Sequence, residues 1–132
     1  MRMYPSVPLI GRKLNHEIYL KKCTLQAGST CMIGVYGLLR HPLWGPDADQ
    51  FRPERWLKSA TLPDHPCLNA SFGIGKRNCI GKLYAMMMMK VALAHILRRY
   101  HVTGDINNVV CEFDIVLKPV EGHLISLTHR RV

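Results

Sequence analysis

The clearest hydrophobic pattern of the chain lies between residues 80 and 100. Apolar side chains recur there at steps of three and four, the spacing of one helical face: Met86, Met89, Leu93, Ile96 and Tyr100. A second apolar stripe adjoins the first: Leu83, Met87, Val91 and Ala94. We predict a helix from Ile80 or Gly81 to Tyr100 whose first face is buried inside a larger structure. We interpret the four consecutive methionines, Met86 to Met89, as core packing.

Shorter patterns on both sides of this helix predict strands. Residues 1–50 are rich in proline and glycine, and the apolar runs Glu17–Leu20 and Thr30–Tyr36 between them indicate two short strands. Beyond the helix, we predict that Glu112–Lys118 and His123–Leu127 form a β-hairpin. Gly122 supplies the positive φ of the turn between them. The predicted fold class is therefore α+β.

Composition narrows the class of protein. The 132 residues carry 18 Lys+Arg and 9 Asp+Glu, a net charge of +9, and 48% are hydrophobic. This balance excludes a disordered chain and fits one globular domain or part of one. Five cysteines, an odd number at irregular spacing, argue against a disulfide scaffold and favour a reducing compartment. We expect neither a signal peptide nor a membrane-spanning segment in this sequence.

The excess of basic residues favours an acidic protein partner over nucleic acid. Six basic residues and no acidic residue occur between Lys76 and Tyr100, yet only Tyr84 and Tyr100 accompany them. Proteins that bind single-stranded nucleic acid interleave basic with aromatic side chains for base stacking. We therefore predict no nucleic-acid partner.

A glycine-rich loop before the helix carries the most informative chemistry. Cys79 lies where the loop meets the predicted helix, and the free amides and dipole of a helix start favour a thiolate. Lys76 and Arg77 add positive charge nearby. Gly75 permits a tight turn, and Gly81 leaves room for a large flat group to approach the sulfur.

Other loop chemistries do not match this spacing. A phosphate-binding P-loop requires Ser or Thr after Gly75-Lys76, where Arg77 stands, and a dinucleotide fingerprint requires glycine in place of Asn78. No C-x-x-C or H-x-x-x-H pair supports a zinc site. A thiolate offered at a helix start suits an axial ligand to haem iron.

The motif Phe72-x-x-Gly75-x-Arg77-x-Cys79-x-Gly81 resembles the cysteine-loop signature of the cytochrome P450 haem-thiolate monooxygenases at all five of its positions. Phe51–Trp56 resembles the Phe-x-Pro-Glu-Arg-Phe element of the same family, with Trp in the last position. Arg2–Pro5 resembles the segment that follows the Glu-x-x-Arg helix, with Arg2 as its arginine. Within this family, the resemblance is closest to animal microsomal enzymes of the fatty-acid ω-hydroxylase type, particularly those of insects.

The resemblance implies a role for each matching residue of the haem site. Cys79 would be the axial iron ligand of haem b (iron protoporphyrin IX), and Phe72 would pack beside the haem. Gly75 and Gly81 would belong to the same haem-binding loop. Arg77, and Arg12 in the N-terminal part, would pair with haem propionates.

The resemblance also implies a structural network and a substrate pocket. Arg2, Glu54 and Arg55 would form the network. The residues implied to border the substrate pocket are Val7, Pro8, Leu9, Ile10 and Gly122.

For the chain as a whole, the resemblance implies that residues 1–132 are the C-terminal part of a mainly helical P450 domain. The distal oxygen-activation helix and the membrane anchor would lie upstream. The parent enzyme would insert one oxygen atom from O₂ into a small apolar substrate, at the cytosolic face of the endoplasmic reticulum. A flavoprotein reductase docking near Lys76 and Lys82 would deliver NADPH-derived electrons.

Three interpretations of the chain itself remain open at this stage. It is a piece of a monooxygenase that is not catalytic alone, a module that binds haem without turnover, or a non-functional product of an incomplete gene model.

Overall fold

The computed structural model describes residues 1–57, 62–65, 67–106 and 109–131. The chain divides into two compact units. We call Met1–Ser71 the N-terminal unit and Phe72–Val132 the C-terminal unit, and we describe each by itself.

The N-terminal unit contains two antiparallel strand pairs. β1 (Leu9–Lys13) pairs with β4 (Thr30–Gly34), and β2 (Ile18–Tyr19) pairs with β3 (Thr24–Leu25). In the longer pair, Leu9 lies opposite Gly34. A short turn connects β2 to β3, as an antiparallel pair allows, whereas the segment between β1 and β4 contains the whole β2–β3 pair.

The strand predictions for this unit are partly confirmed. β2 lies within the predicted strand Glu17–Leu20. The predicted strand Thr30–Tyr36 ends at Gly34, because the backbone turns there into the one-turn helix α1 (Val35–Leu38). β1 was not predicted. Its sequence has only two apolar residues at its start, and pairing with β4 rather than its own pattern makes it a strand.

A small apolar core holds the N-terminal unit together. Val35 and Leu39 are fully buried at α1, while Trp44, Ala48 and Leu68 form a second buried cluster. Two 3-10 helices, Pro42–Trp44 and Pro53–Trp56, each begin with a proline, whose fixed φ suits the first turn. Burying a large apolar side chain contributes about 1.5–3 kcal/mol, so these few residues dominate the stability of the unit.

The C-terminal unit contains one long helix and four short strands. Its elements are a 3-10 turn (Gly75–Arg77), α2 (Lys82–Arg99), β5 (Tyr100–Thr103), β6 (Cys111–Phe113), β7 (Leu117–Pro119) and β8 (Ser126–His129). The predicted helix is confirmed with its start two residues later than Ile80. It ends at Arg99 because Tyr100 takes an extended conformation and begins β5.

The predicted terminal hairpin is wrong in its pairing. β7 folds back onto β6, with Phe113 opposite Leu117, while β8 pairs with β5, the strand that leaves α2. The physical reason is a turn inside the predicted strand, where the Asp114 amide donates to the Val116 carbonyl at 3.3 Å. The predicted positive φ at Gly122 is confirmed, at +80°.

The apolar face of the long helix, predicted to be buried inside a larger structure, is exposed within residues 1–132. No described residue of α2 is buried, and Leu93 on the predicted face is 55% exposed. Met87, Met88 and Met89 are likewise exposed, so they pack against no core among the described residues of this chain. β5 is the main described neighbour of α2, and one short strand cannot cover a helix of 18 residues. No helix among the described residues is both long and apolar enough to cross a membrane.

Candidate functional site

The loop that carries Cys79 is closed by its own backbone. The Cys79 amide donates to the Phe72 carbonyl at 2.8 Å, and the Asn78 amide donates to the Gly75 carbonyl at 3.1 Å. The Lys82 amide then donates to the Cys79 carbonyl at 3.3 Å, which joins the loop to the first turn of α2. These bonds fix the backbone on both sides of an exposed thiol.

Two glycines give this loop its shape and its openness. Gly75 has a φ of +75°, a conformation that costs a residue with a Cβ about 1–2 kcal/mol. Gly81 has an ordinary φ of −86°, and a Cβ added there would lie 3.9 Å from Cys79 Sγ. The side chain missing at Gly81 therefore leaves the space beside the sulfur clear.

Three basic residues flank Cys79 along the sequence. Lys76, Arg77 and Lys82 are exposed, and neither the loop from Phe72 nor the first turn of α2 contains an acidic residue. The partial positive charge of a helix start adds to this field. An exposed cysteine sulfur with open space beside it is a suitable soft donor for haem iron, so the residues present fit this cofactor.

A second cluster, in the N-terminal unit, contains the buried arginines Arg2 and Arg55. Arg2 Nη1 donates to the carbonyls of Leu39 and Ala48 at 2.8 and 2.6 Å. Arg55 Nη1 donates to the Trp44 carbonyl at 3.0 Å, and the Arg2 guanidinium lies 5.2 Å from the centre of the Trp44 ring. Burial lowers the pKa of Arg2, and the nearby positive charge of Arg55 lowers it further.

Asp47 supplies the carboxylate of this arginine cluster. Its Oδ2 lies 3.2 Å from Arg55 Nη2 and accepts a hydrogen bond from Arg52. The hydrogen bond from Arg52 lowers the pKa of Asp47, and Arg55 reinforces the effect against a smaller opposing cost of desolvation. Glu54, the acid that the resemblance implied, is exposed.

Sequence reasoning missed Asp47 and Arg40 as members of this cluster. Arg40 lies 3.6 Å over the Tyr36 ring and donates to the Met3 carbonyl. The available signal was the spacing of Asp47 from two arginines, five and eight residues later. That spacing is informative only once the turn at Pro53–Trp56 is known.

The remaining predicted residues of the N-terminal unit lie on or beside β1. Arg12 is half-buried, and its Nη1 donates to the Gly11 carbonyl at 2.8 Å. Pro8 is buried and accepts a hydrogen bond from the Tyr36 amide at 3.1 Å. Val7 and Leu9 are exposed and Ile10 is half-buried, so this segment presents apolar surface.

The predicted residues thus fall into four groups, one of which is the segment with Val7–Ile10 and Arg12 on and beside β1, while Glu54 is exposed. Phe72, Gly75, Arg77, Cys79 and Gly81 share one loop of the C-terminal unit, and Arg2 and Arg55 share the arginine cluster of the N-terminal unit. Gly122 lies elsewhere in the C-terminal unit, at the wall of a cavity.

Comparisons with known proteins agree with this geometry. The family model described as Cytochrome P450 matches residues 1–125. Probable cytochrome P450 4aa1 of Drosophila melanogaster is 38% identical over 98% of this chain, and cytochrome P450 4V2 of Mus musculus is 35% identical over 98%.

The chain spans about a quarter of the length of these relatives, 26% and 25% respectively. The crystal structure of the cytochrome P450DA heme domain superposes with a TM-score of 0.85 at 23% identity. That match covers 98% of this chain and 29% of the crystallised one, and it shows the same fold. With the family model matched over nearly all of its residues, the chain belongs to the cytochrome P450 family, and its relatives are of the P450 4 type.

Proposed function

We propose that Cys79 binds the iron of haem b through its thiolate, and that residues 1–132 are the C-terminal portion of a P450 monooxygenase domain. The observation that carries the proposal is the exposed sulfur of Cys79 on a backbone-closed loop at the start of α2. Such a loop holds a thiolate in one orientation, and the helix start stabilises its charge.

The neighbours of Cys79 have distinct proposed roles. The absent side chain of Gly81 lets a flat ring approach the sulfur, while the half-buried Phe72 ring shields one side from water. Arg77 pairs with a propionate, because a carboxylate held at a protein surface is best bound by a charge-assisted hydrogen bond. Arg12, on β1 of the N-terminal unit, is the proposed partner of a second propionate.

The bound haem would supply O₂ activation for the insertion of one oxygen atom into a small apolar organic substrate, with electrons that originate from NADPH. The exposed apolar side chains Val7 and Leu9, with Pro8 and Ile10 beside them, are proposed to border the substrate, as is Gly122. The relatives' type favours the cytosolic face of the endoplasmic reticulum as the location of the whole enzyme.

The electron donor is proposed to dock on the basic surface around Cys79. Lys76 and Lys82 are exposed beside the ligand loop, and no acid interrupts the sequence from Lys76 to Tyr100. An acidic flavoprotein reductase would be steered to this surface by its opposite charge.

A matched pair of cysteine variants tests the haem ligand. Cys79 and Cys23 are both exposed, free thiols, one in each unit. We expect the chain reconstituted with haem to give the Soret band of a thiolate-ligated iron in the reduced carbon-monoxide difference spectrum. Cys79→Ser abolishes that band, and Cys23→Ser leaves it unchanged. A thiolate band that survives in Cys79→Ser contradicts the proposal.

A turnover assay separates the monooxygenase from a haem-binding module. The chain spans about a quarter of its relatives, so we expect the 132 residues with haem, NADPH and reductase to give no hydroxylated product. Turnover should appear when the chain is supplied with the remaining part of a P450 domain. A stable haem complex that never supports turnover in that complemented assay favours the haem-binding module.

A further inference from the structure

Four arginines meet at the carboxyl end of α2. Arg98 and Arg99 end the helix, and Arg130 and Arg131 follow β8. The Arg130 amide donates to the Arg99 carbonyl at 2.8 Å, which places the two arginine pairs on adjacent backbone segments although they are distant in sequence. All four residues are exposed. We call them the arginine patch.

The helix end explains only half of this patch. Basic residues in the last turn of a helix stabilise its dipole, so Arg98 and Arg99 have a local role. Arg130 and Arg131 lie outside the helix, and Arg130 Nε donates to the Tyr100 carbonyl at 3.1 Å, which holds the second pair against the first. Like charges side by side on neighbouring segments repel each other. A negatively charged partner would remove this repulsion.

No acidic side chain among the described residues pairs with the patch. None of the ion pairs in that part of the chain involves its four arginines. The acidic residues of the C-terminal unit all lie from residue 105 to residue 121: Asp105, Glu112, Asp114 and Glu121. The patch adjoins the Tyr100–His129 end of the β5–β8 pair, whereas residues 105 and 121 lie beyond the Thr103–Ser126 end. The two ends are about 10 Å apart, about one Debye length in physiological salt.

The chemistry of the patch favours an acidic protein over nucleic acid or a bilayer. A guanidinium group binds a carboxylate through two parallel hydrogen bonds. Single-stranded nucleic acid requires open aromatic rings, but the rings beside the patch, Tyr100 and His129, face each other with 4.6 Å between their centres. A bilayer surface requires bulky apolar side chains among the basic ones, and all four members of the patch are arginines.

We propose that the arginine patch docks a carboxylate-rich segment of another protein, whose glutamate or aspartate side chains pair with the four guanidinium groups. α2 has 18 residues and rises 1.5 Å per residue, so the patch lies about 26 Å from the start of the helix beside Cys79. It is therefore a second basic surface, distinct from the one at Lys76 and Lys82 where the reductase is proposed to dock. The proposal does not depend on haem binding.

Two peptides of equal length test the charge requirement. Hexaglutamate and hexaglutamine differ in the charge of their side chains, and binding to the full chain of 132 residues is followed by amide chemical shifts. We expect hexaglutamate to shift the amides of Arg99, Tyr100 and Arg130, and hexaglutamine to shift none of them. Raising the salt concentration from about 50 to about 200 mM should weaken hexaglutamate binding severalfold, because exposed charges are then screened.

Matched charge removals separate the patch from general attraction to a basic chain. Arg98→Gln with Arg131→Gln should weaken hexaglutamate binding about four- to twenty-five-fold, since each exposed ion pair contributes about two- to fivefold. Lys21→Gln with Lys22→Gln removes the same charge from exposed residues of the N-terminal unit and should change the affinity less than about twofold. Arg98→Lys with Arg131→Lys keeps both charges and should lose less affinity than the glutamine variant of the patch.

Three results would overturn the proposal. Equal losses of affinity in the Arg98/Arg131 and Lys21/Lys22 glutamine variants would show attraction to net charge alone. Shifts confined to the Cys79 loop would place the acidic segment on the proposed reductase surface. Binding to phosphatidylserine vesicles without binding to hexaglutamate would assign the patch to a membrane.

Discussion

The two units are built from similar elements, yet only one of them has a core. Each contains two antiparallel strand pairs and at least one helix. Every buried residue that the structure describes lies in the N-terminal unit: Arg2, Pro5, Pro8, Leu14, Val35, Leu39, Trp44, Ala48, Arg55, Leu68 and Ala70. From Phe72 to Arg131, no described residue is buried. Strand pairs and helices therefore do not by themselves make a core.

The buried core therefore lies in the N-terminal unit, whereas the Cys79 loop lies in the C-terminal unit. In the N-terminal unit, short turns wrap carbonyl groups around Arg2 and Arg55, so packing and hydrogen bonding act together. In the C-terminal unit, the Cys79 loop is held by bonds within its own backbone while α2 stays exposed. A ligand that binds only the folded C-terminal unit would therefore add a large share of its stability.

The largest expected effect comes from the same substitution made in both units. Leu39→Ala removes a fully buried side chain and should lower the free energy of unfolding by about 2–5 kcal/mol. Leu93→Ala removes a side chain that is 55% exposed on α2 and should cost less than about 0.5 kcal/mol, since alanine also favours helix.

Two optical signals follow the two units during urea unfolding. Both tryptophans, Trp44 and Trp56, lie in the N-terminal unit, so fluorescence reports that unit. Circular dichroism in the helical region reports α2, the longest helix among the described residues. A Leu93→Ala penalty equal to that of Leu39→Ala would show that α2 is packed, and the contrast between the units would fail.

The same contrast explains what the sequence could and could not predict. Periodicity located α2 almost to the residue, because helix formation follows local spacing. It predicts that the face with Leu93 is buried inside a larger structure, but it does not identify the neighbours that would cover this face, and none of them lies among the described residues of this unit. The predicted strand Glu112–Lys118 was paired wrongly, since a turn at Asp114 divides it between β6 and β7, which pair with each other.

Among the candidate site residues, some could likewise be predicted from the sequence and others could not. The Cys79 loop was predictable because its residues lie within ten positions of one another and their spacing is itself the signal. Asp47 in the arginine cluster was not predictable, because its contact with Arg55 depends on the 3-10 turn between them.

The second prediction distinguishes two roles of glycine in the Cys79 loop of the C-terminal unit: the positive φ of Gly75 and the space that Gly81 leaves beside the sulfur. Gly75→Ala places a Cβ at a φ of +75° and should destabilise the loop by about 1 kcal/mol, with or without haem. Gly81→Ala meets no strain and lies 3.9 Å from Cys79 Sγ, so folding should be unchanged while haem affinity falls. Urea unfolding and haem titration measure the two effects. Equal haem affinity for Gly81→Ala and the parent chain would remove the proposed role of Gly81.

The third prediction concerns acid sensitivity, which should belong to the unit with the core. Because Arg52 and Arg55 lower the pKa of Asp47, its ionised form stabilises the fold above the ordinary value of 3.8. That contribution is lost as the pH falls through the lower pKa of the folded state. Asp47→Asn should therefore be less stable than the parent chain at neutral pH, with the difference shrinking below about pH 4.

Asp49→Asn is the control for this acid effect. Asp49 lies 3.6 Å from Arg40, but its side chain is 83% exposed, so its ion pair is largely screened by water. The tryptophan fluorescence midpoint in urea, followed between pH 3 and 7, compares the variants. A stability difference for Asp47→Asn that grows towards low pH contradicts the assignment.

The smallest expected effect tests whether the exposed unit acts through its surface charge. Lys82→Gln removes a charge beside the Cys79 loop, whereas Lys90→Gln removes one two turns further along α2. We expect Lys82→Gln to slow association with an acidic flavoprotein reductase about two- to threefold at low salt, and Lys90→Gln to have a smaller effect. The difference should vanish at high ionic strength, because exposed charges are then screened.

A positive charge in the first turn opposes the helix dipole, so Lys82→Gln does not weaken α2. Slower association would therefore report the docking surface itself, and equal rates for both variants would place reductase docking away from the ligand loop.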